Sequence, residues 1–306
     1  MKSEFPLVSI ITVNYNGTGL TIELLKSVDA LTYPKIEVIV VDNGSKIDPG
    51  PIINSQFPNV KVVRSEKNLG FAGGNNLGMN IAQGEYFFLV NNDTELTPNS
   101  IRGLVDIFKD FPDAGIVSPK FHYFFSPNTI EYAGYRKVNR WTGRNKMIGC
   151  KETDLGQYNF IKETTYCHGG GMMLPASLVN EVGLMPEPYF LYYEEFDWCE
   201  QIKRAGYKIY YQPNSLIYHK ESMTTGKNSK LKTYYLTRNR VLFMRRNGNS
   251  ITKVVFLAYL ICFTIPKNTI MYLLRRDVHL LLAFWRGIYW NIRHLNLKNV
   301  NFRCAE

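Results

Sequence analysis

The sequence predicts an α/β protein: a mostly parallel sheet flanked by helices, followed by a helical, basic C-terminal extension. Three observations carry that expectation. Through the first hundred residues, β-branched and aromatic runs alternate with helix-length stretches, and three of the four runs end in polar turn clusters. The 306 residues are 45% hydrophobic and 14% aromatic, enough for a buried core and too apolar for a disordered chain. The net charge of +10 is unevenly placed: residues 1–219 hold 20 Lys/Arg against 23 Asp/Glu, whereas residues 220–306 hold 16 against 3. A mildly acidic domain is therefore expected over residues 1–220 and a basic extension over 221–306.

The elements follow in order. Val8 to Val13 is a β-branched run closed by Asn14-Tyr15-Asn16-Gly17, and Leu20, Leu24, Val28 and Leu31 then recur at helical spacing. Ile36 to Val41 ends in Asp42-Asn43-Gly44-Ser45, and Val60 to Val63 makes a third strand. A helix is expected from Ala72 to Gln83, before the strand Tyr86 to Val90 that ends in Asn91-Asn92-Asp93. This alternation favours a parallel sheet with right-handed crossovers. Ligands of such sheets bind outside the carboxyl ends of the strands, which brings Asn14, Asn16, Asp42 and Asp93 to one crevice. Turn formation alone accounts equally well for Asn14 and Asn16. Further strands are expected at Ile116–Pro119, Phe121–Phe125, Tyr166–Leu174, Tyr207–Tyr211 and Leu216–His219. An aromatic strand, Tyr189 to Tyr193, leads into a helix that Gly206 closes.

Several function classes lose support. The first residues show no charged segment followed by an apolar run, so no secretory signal is expected. Five scattered cysteines (Cys150, Cys167, Cys199, Cys262, Cys304) without a C-x-x-C pair argue against a disulfide framework or structural zinc and for a reducing cytosol. The zincin, α/β-hydrolase and P-loop patterns do not occur, and neither does a nucleic-acid-reading motif.

Two clusters carry chemistry. Glu194, Glu195, Asp197 and Glu200 form the densest acidic group, set among aromatics whose burial would raise a carboxylate pKa toward general-base duty. The alternative is that acids at a helix N-terminus simply complement its dipole. Asn91-Asn92-Asp93 at a strand end suits Mg²⁺ or Mn²⁺ on a diphosphate, with His219 as a second ligand, although a lone His is more often structural. Glycines 70, 73 and 74 do not have dinucleotide-fingerprint spacing, and tight helix–strand packing explains them as well as a ligand does.

Five ordered motifs together resemble the family 2 glycosyltransferases of GT-A fold, rhamnosyltransferase-like members above all. They are Val8 to Asn16, Val40 to Ser45, Asn68 to Asn76, Asn91 to Asp93 and Tyr193 to Cys199. The resemblance spans about residues 7–245 and implies a Rossmann-like GT-A sheet. It implies that Thr12, Asn14, Asn16 and Asp42 hold the donor's base and ribose, and that Asn68, Gly70 and Asn75 line the donor pocket. Asn91 to Asp93 stands at the family's D-x-D metal motif, with Asp93 and His219 as ligands. Gly169 to Gly171 would lie beneath sugar and acceptor. Glu195 aligns with the general base, supported by Glu194 and Asp197. Two departures stand out: Asn91 replaces the first D-x-D carboxylate, and the base is Glu rather than Asp. A catalytically inactive sugar-nucleotide or glycan-binding module is the alternative.

The expected reaction is inverting transfer of a sugar from dTDP-rhamnose or a UDP-hexose to a hydroxyl of a glycan or lipid-linked acceptor, in cell-surface polysaccharide synthesis. In the extension, Tyr234 to Arg246 reads as a helix, and Val254 to Ile265 as an apolar run broken by Pro266. Val278 to Leu297 is a further helix placing Leu281, Trp285, Ile288, Ile292 and Leu295 on one face. Residues 221–306 are therefore expected to bind an anionic membrane surface rather than nucleic acid, making the protein cytoplasmic and peripheral on the inner face of the cell membrane. The alternatives are helices packed against the catalytic body or another protomer, and a tilted span formed by extending the apolar run to Leu274.

Overall fold

The computed structural model describes residues 5–220 and 229–295; Cys304 and the end of the last expected helix, through Leu297, lie outside the described residues. The strands are β1 (Val8–Asn14), β2 (Ile36–Asn43), β3 (Lys61–Ser65), β4 (Tyr86–Val90), β5 (Thr94–Leu96), β6 (Ala114–Tyr123), β7 (Ser126–Tyr132), β8 (Lys162–Thr164), β9 (Gly171–Pro175) and β10 (Lys208–His219). The helices are α1 (Thr18–Asp29), α2 (Gly50–Gln56), α3 (Gly70–Met79), α4 (Ser100–Asp110), α5 (Ala176–Val182), α6 (Glu194–Arg204), α7 (Lys230–Asn247), α8 (Ser250–Tyr259), α9 (Ile265–Leu274) and α10 (Val278–Arg293).

One sheet runs β3-β2-β1-β4-β9-β6-β10-β5, with β7 added to β6 and β8 to β10. The β3, β2, β1 and β4 ladders are parallel, and so is β6–β10. β9 is inserted antiparallel between β4 and β6. Two reversals leave β10 pointing the same way as β4, so their carboxyl ends, Asp93 and His219, meet at one edge. The same reversal delivers the start of β9 there, with Gly171 opposite Val90. Alternate strand residues fill two cores: Ile10, Phe88 and Val117 pack under α1 and α4, while Ile11, Leu89 and Ile116 face α3, α5 and α6.

The structure departs from the sequence reading at several elements. The expected strands 116–119 and 121–125 are one strand, β6, and 207–211 and 216–219 are one strand, β10, with a register irregularity between Gln212 and Leu216. Pro119 lies opposite Gln212 in the ladder, and Pro213 falls within the irregular stretch of β10. Residues 166–170 are not strand: Gly170 N bonds His168 Nδ1 and Gly171 N bonds His168 O, which folds a turn ahead of β9. The expected helix 72–83 spans Gly70–Met79.

In the extension, α7 buries eight consecutive residues, Thr237 to Met244, so it is a core helix sandwiched between the body and α10. Gly287 allows that contact: a Cβ there would lie 2.9 Å from Tyr234 O. The seam buries Ala283, Phe284, Gly287, Ile288 and Asn291 of α10, so of the face expected from sequence only Ile288 is in it, while Trp285, Ile292 and Leu295 are exposed. Nor does Pro266 break the apolar run. A π-helical turn, Leu260–Thr264, precedes it and absorbs its missing N–H, giving 25 continuous helical residues, Ser250–Leu274, within which an 18-residue window has a mean hydropathy of 1.6. By length and composition alone that segment is sufficient to cross a bilayer.

Candidate active site

The carboxyl ends of β1 and β2 build the first wall. Asn14 and Asp42 are fully buried, and Asn14 Nδ2 donates to Asp42 Oδ1 at 3.1 Å and Ser45 Oγ at 3.2 Å. Thr21 Oγ1 donates to Asn14 Oδ1, which fixes the amide's orientation. Asp42 Oδ2 lies 3.4 Å from Arg64 Nε but accepts no hydrogen bond, and the buried Thr12 Oγ1 is also unpartnered. Buried polar atoms are normally satisfied, so these two at adjacent strand ends mark where a ligand's polar groups belong. Asn16 is in the left-handed region (φ 53°), and its side chain accepts from Lys46 N, a turn role.

The β3–α3 loop is shaped from within. Asn43, which sequence reasoning did not single out, donates to Asn68 Oδ1 and Gly70 O and accepts from Leu69 N. Asn68 Oδ1 in turn accepts from Gly70 N. Gly70 sits at φ 75°, and a Cβ there would lie 2.3 Å from Phe190 O. Its requirement is thus a close approach of two loops. Asn75 Nδ2 donates to Phe71 O inside α3.

The second wall gathers acid and imidazole. Asn91 N donates to Gly170 O, tying the end of β4 to the glycine turn, while Asn92 Nδ2 reaches back to Thr21 Oγ1. His219 Nε2 is 3.2 Å from Asp93 Oδ1, and its Nδ1 is 2.9 Å from both Glu131 oxygens. His168 Nε2 lies 3.5 Å from Glu131 Oε1. Burial opposes charge on His219, but its bonds to Asp93 and Glu131 outweigh that and push it up to about 10. Burial opposes charge on Glu131 too, yet His168 and His219 hold it down at about 2. Glu131 and His168 were not legible in the sequence: Glu131 and His219 are 88 residues apart.

The spacing of Asp93 and His219 would suit a divalent ion. Neighbouring ligands on an octahedral ion with bonds of ~2.1 Å stand ~3.0 Å apart, close to the observed separation. With Glu131 accepting from Nδ1–H, an ion that displaced the Nε2 proton now shared with Asp93 would find Nε2 as its ligating nitrogen.

The third wall is the start of α6. The expected aromatic strand 189–193 does not form: Phe190, Tyr192 and Tyr193 adopt φ of 63°, 69° and 74°. Such angles are strained for bulky residues and persist only where surroundings impose them. Here α7 imposes them. Asn239 Nδ2 donates to the carbonyls of Tyr189, Leu191 and Tyr192, and Arg238 to those of Pro188 and Tyr189. The loop delivers Glu194 and Glu195, each with a buried Oε2 lacking a partner. Burial, then the Glu195 charge, drives Glu194 well above the carboxylate range. Burial pushes Glu195 up to about 7, against backbone amides of the helix start that pull it down. A Cβ on Gly169 would lie 3.7 Å from Glu195 Oε1, so the acid stands against the glycine turn that also contacts Asn91. Asp197 is engaged elsewhere: Arg246 Nε is 2.9 Å away and Asn247 also donates to it, which ties α6 to α7.

Glu195, its carboxyl raised by burial, therefore stands against the glycine turn that Asn91 ties to the end of β4, beyond which Asp93 meets His219. The family model described as Glycosyl transferase family 2 matches residues 9–182, more than half of the chain. The chain belongs to glycosyltransferase family 2. This glycosyltransferase is 26% identical over 243 residues to the low-salt glycan biosynthesis hexosyltransferase Agl10 of Haloferax volcanii, covering 77% of this chain and 74% of the relative. It is 22% identical over 255 residues to an N-acetylglucosaminyl-diphospho-decaprenol L-rhamnosyltransferase of Mycobacterium tuberculosis, covering 72% and 78%. Its fold is that of the mannosyltransferase PcManGT from Pyrobaculum calidifontis, solved with GDP-Man and Mn²⁺ (TM-score 0.59, 16% identity, 97% of this chain and 89% of that one). GalNAc-T7, solved with UDP, GalNAc and Mn²⁺, shares it as well (TM-score 0.62, 16% identity, 86% and 57%). The GT-A architecture expected from the motifs is thus the observed one.

Proposed function

We propose that this glycosyltransferase moves a hexose or rhamnose from a UDP- or dTDP-linked donor to a hydroxyl of a lipid-linked or glycan acceptor, with inversion. The observation that carries the proposal is Glu195: an acid at about 7, with one oxygen unpartnered, against the turn that links it to the end of β4. Poised there, it takes the proton of the acceptor hydroxyl as that oxygen attacks the anomeric carbon. Asp42 and Thr12 offer the nucleoside oxygens that accept no hydrogen bond within the protein. Asp93 and His219 would hold Mn²⁺ or Mg²⁺, the mixed oxygen–nitrogen set suiting Mn²⁺ better, and a bound ion would supply positive charge against that developing on the diphosphate. The names of the glycan-building relatives support this choice of substrates.

Turnover with a panel of UDP-, dTDP- and GDP-sugars, with and without Mn²⁺, followed by NMR of the product, tests the reading. Retained anomeric configuration overturns single displacement, and equal rates for wild type and Glu195→Gln overturn the base.

The same proposal puts the enzyme on the inner face of the cell membrane through α8–α10. On α10, Val278, Leu282, Trp285, Tyr289 and Ile292 form one exposed apolar stripe, flanked by Arg286 and Arg293. Flotation of the full chain with phosphatidylglycerol liposomes is expected, and a Trp285→Ser/Tyr289→Ser variant is expected to lose it. Undiminished flotation of that variant refutes the stripe.

A further inference from the structure

A cavity of about 420 Å³ lies between the 144–145 turn, Tyr193, α7, α9 and α10. Three cations line it, Arg144, Lys232 and Arg240, and no carboxylate does. Arg240 is only 6% exposed, yet its Nε has no hydrogen-bond partner, and no acid among the described residues pairs with it. Asn145 Nδ2, on the opposite wall, is also buried and unpartnered.

Other buried cations of this protein are compensated. Lys120 meets Asp154, Lys220 meets Glu23 and Glu95, and Arg238 donates to two carbonyls. Arg240 has the reverse surroundings. Burial pulls its guanidinium below the ordinary range; Tyr193 opposes that, and the like charge of Arg144 adds to it. An uncompensated buried charge is strongly destabilising, so an ionised Arg here implies an anion supplied from outside the chain.

The cavity is also built rather than incidental. The turn before Arg144 packs on α7 through Gly143 at φ 64°, where a Cβ would lie 3.2 Å from Arg240 Cγ. Tyr193 Oη donates to Gly143 O, so this turn is stapled to the residue immediately before Glu194 and Glu195. The rest of the lining mixes Thr233, Thr237 and Asn268 with Leu236, Tyr272 and Phe284, and the last two belong to α9 and α10, whose outer surfaces expose Ile270, Leu273 and Leu282.

A ligand matching these walls has an anionic head, an apolar chain leaving along α9, and a reacting group next to the base loop. The donor diphosphate already has its place at Asp93 and His219, so a second anion site belongs to the acceptor. We propose that Arg240, Arg144 and Lys232 bind the phosphate or diphosphate of a lipid-linked sugar acceptor, setting its hydroxyl toward Glu195. This rests on the glycosyl-transfer reading of the Glu195 site.

Titration calorimetry on the full chain without divalent ions uses farnesyl diphosphate and inorganic pyrophosphate as probes, beside donor binding with Mn²⁺. Farnesyl diphosphate is expected to bind. Arg144→Gln, on an exposed position that does not threaten folding, and Arg240→Gln are each expected to weaken it about tenfold, the loss of one charge-assisted contact. Donor affinity is expected to stay within about twofold, because these residues lie outside the Asp42 and Asp93 walls. The ligand-free Arg240→Gln protein is expected to melt higher than wild type. Unchanged farnesyl diphosphate affinity in both variants, with donor binding intact, overturns the inference and leaves the glycosyl-transfer reading standing. Pyrophosphate binding as tightly as farnesyl diphosphate overturns the lipid source and makes this a free-anion site. A protein that binds no donor at all overturns the underlying reading, and this inference with it.

Discussion

Replacing Glu195 by Gln separates what the acid does for catalysis from what it costs the fold. Its carboxyl moves from the ordinary 4.5 to about 7 in the folded protein because burial disfavours the charged form. The folded state therefore holds the proton more tightly than the unfolded chain. Below pH 4.5 both states are protonated and stability is unaffected. Between pH 4.5 and 7 the unfolded chain loses its proton first, so stability falls as pH rises. Above pH 7 the full loss is present, about 3 kcal/mol at 1.36 kcal/mol per pH unit. Glutamine keeps the shape without the charge. The variant is expected to lose about 10²- to 10⁴-fold in turnover, the range for removal of a general base. It is also expected to gain up to about 3 kcal/mol at pH 8 and nothing near pH 4.5. Urea denaturation of the donor-free protein across that range measures the difference, and the wild-type kcat/KM profile should show an acid limb near pH 7. A variant no more stable at pH 8 than at pH 5, relative to wild type, refutes the desolvated carboxyl and the base poised by it.

Asn239→Ala removes the donor to three carbonyls of the left-handed loop; an amide has two protons to share, so a loss of about 2–3 kcal/mol is expected. Thermal melting should show it, and turnover should fall further than donor affinity, because the loop positions Glu195 and not the nucleoside. Gly70→Ala sets a Cβ 2.3 Å from Phe190 O at positive φ; destabilisation of about 2 kcal/mol or more is expected in denaturation curves. Asp93→Asn leaves one neutral oxygen and one imidazole at the ion site, so Mn²⁺ affinity measured by electron paramagnetic resonance should fall at least about tenfold. Unaltered Mn²⁺ binding would place the ion elsewhere.

The site was legible where chemistry and strand ends coincide. Asp42, Asp93 and Glu195 stand out because a parallel sheet gathers its carboxyl ends, and because acids among aromatics are unusual. Glu131 and His168 were not legible, since β7 and the 168–171 turn reach His219 only through pairings that span tens of residues. The aromatic run 189–193 misled for a related reason. Local β propensity favours extension, but Asn239 and Arg238, some fifty residues on, hold it left-handed.

The basic extension shows the same division. Sequence alone determined that residues 220–306 hold 16 of the 36 Lys/Arg and only 3 of the 26 Asp/Glu. It could not assign those charges, because partners come from other elements. The fold gives Arg238 to the base loop, Arg246 to Asp197, and Arg245 to the end of α10. It leaves Arg240 facing a cavity without an acid, and Arg286 and Arg293 beside an exposed apolar stripe. Composition fixes how much charge a segment carries; desolvation and neighbours, which exist only once the chain is packed, decide what each charge does.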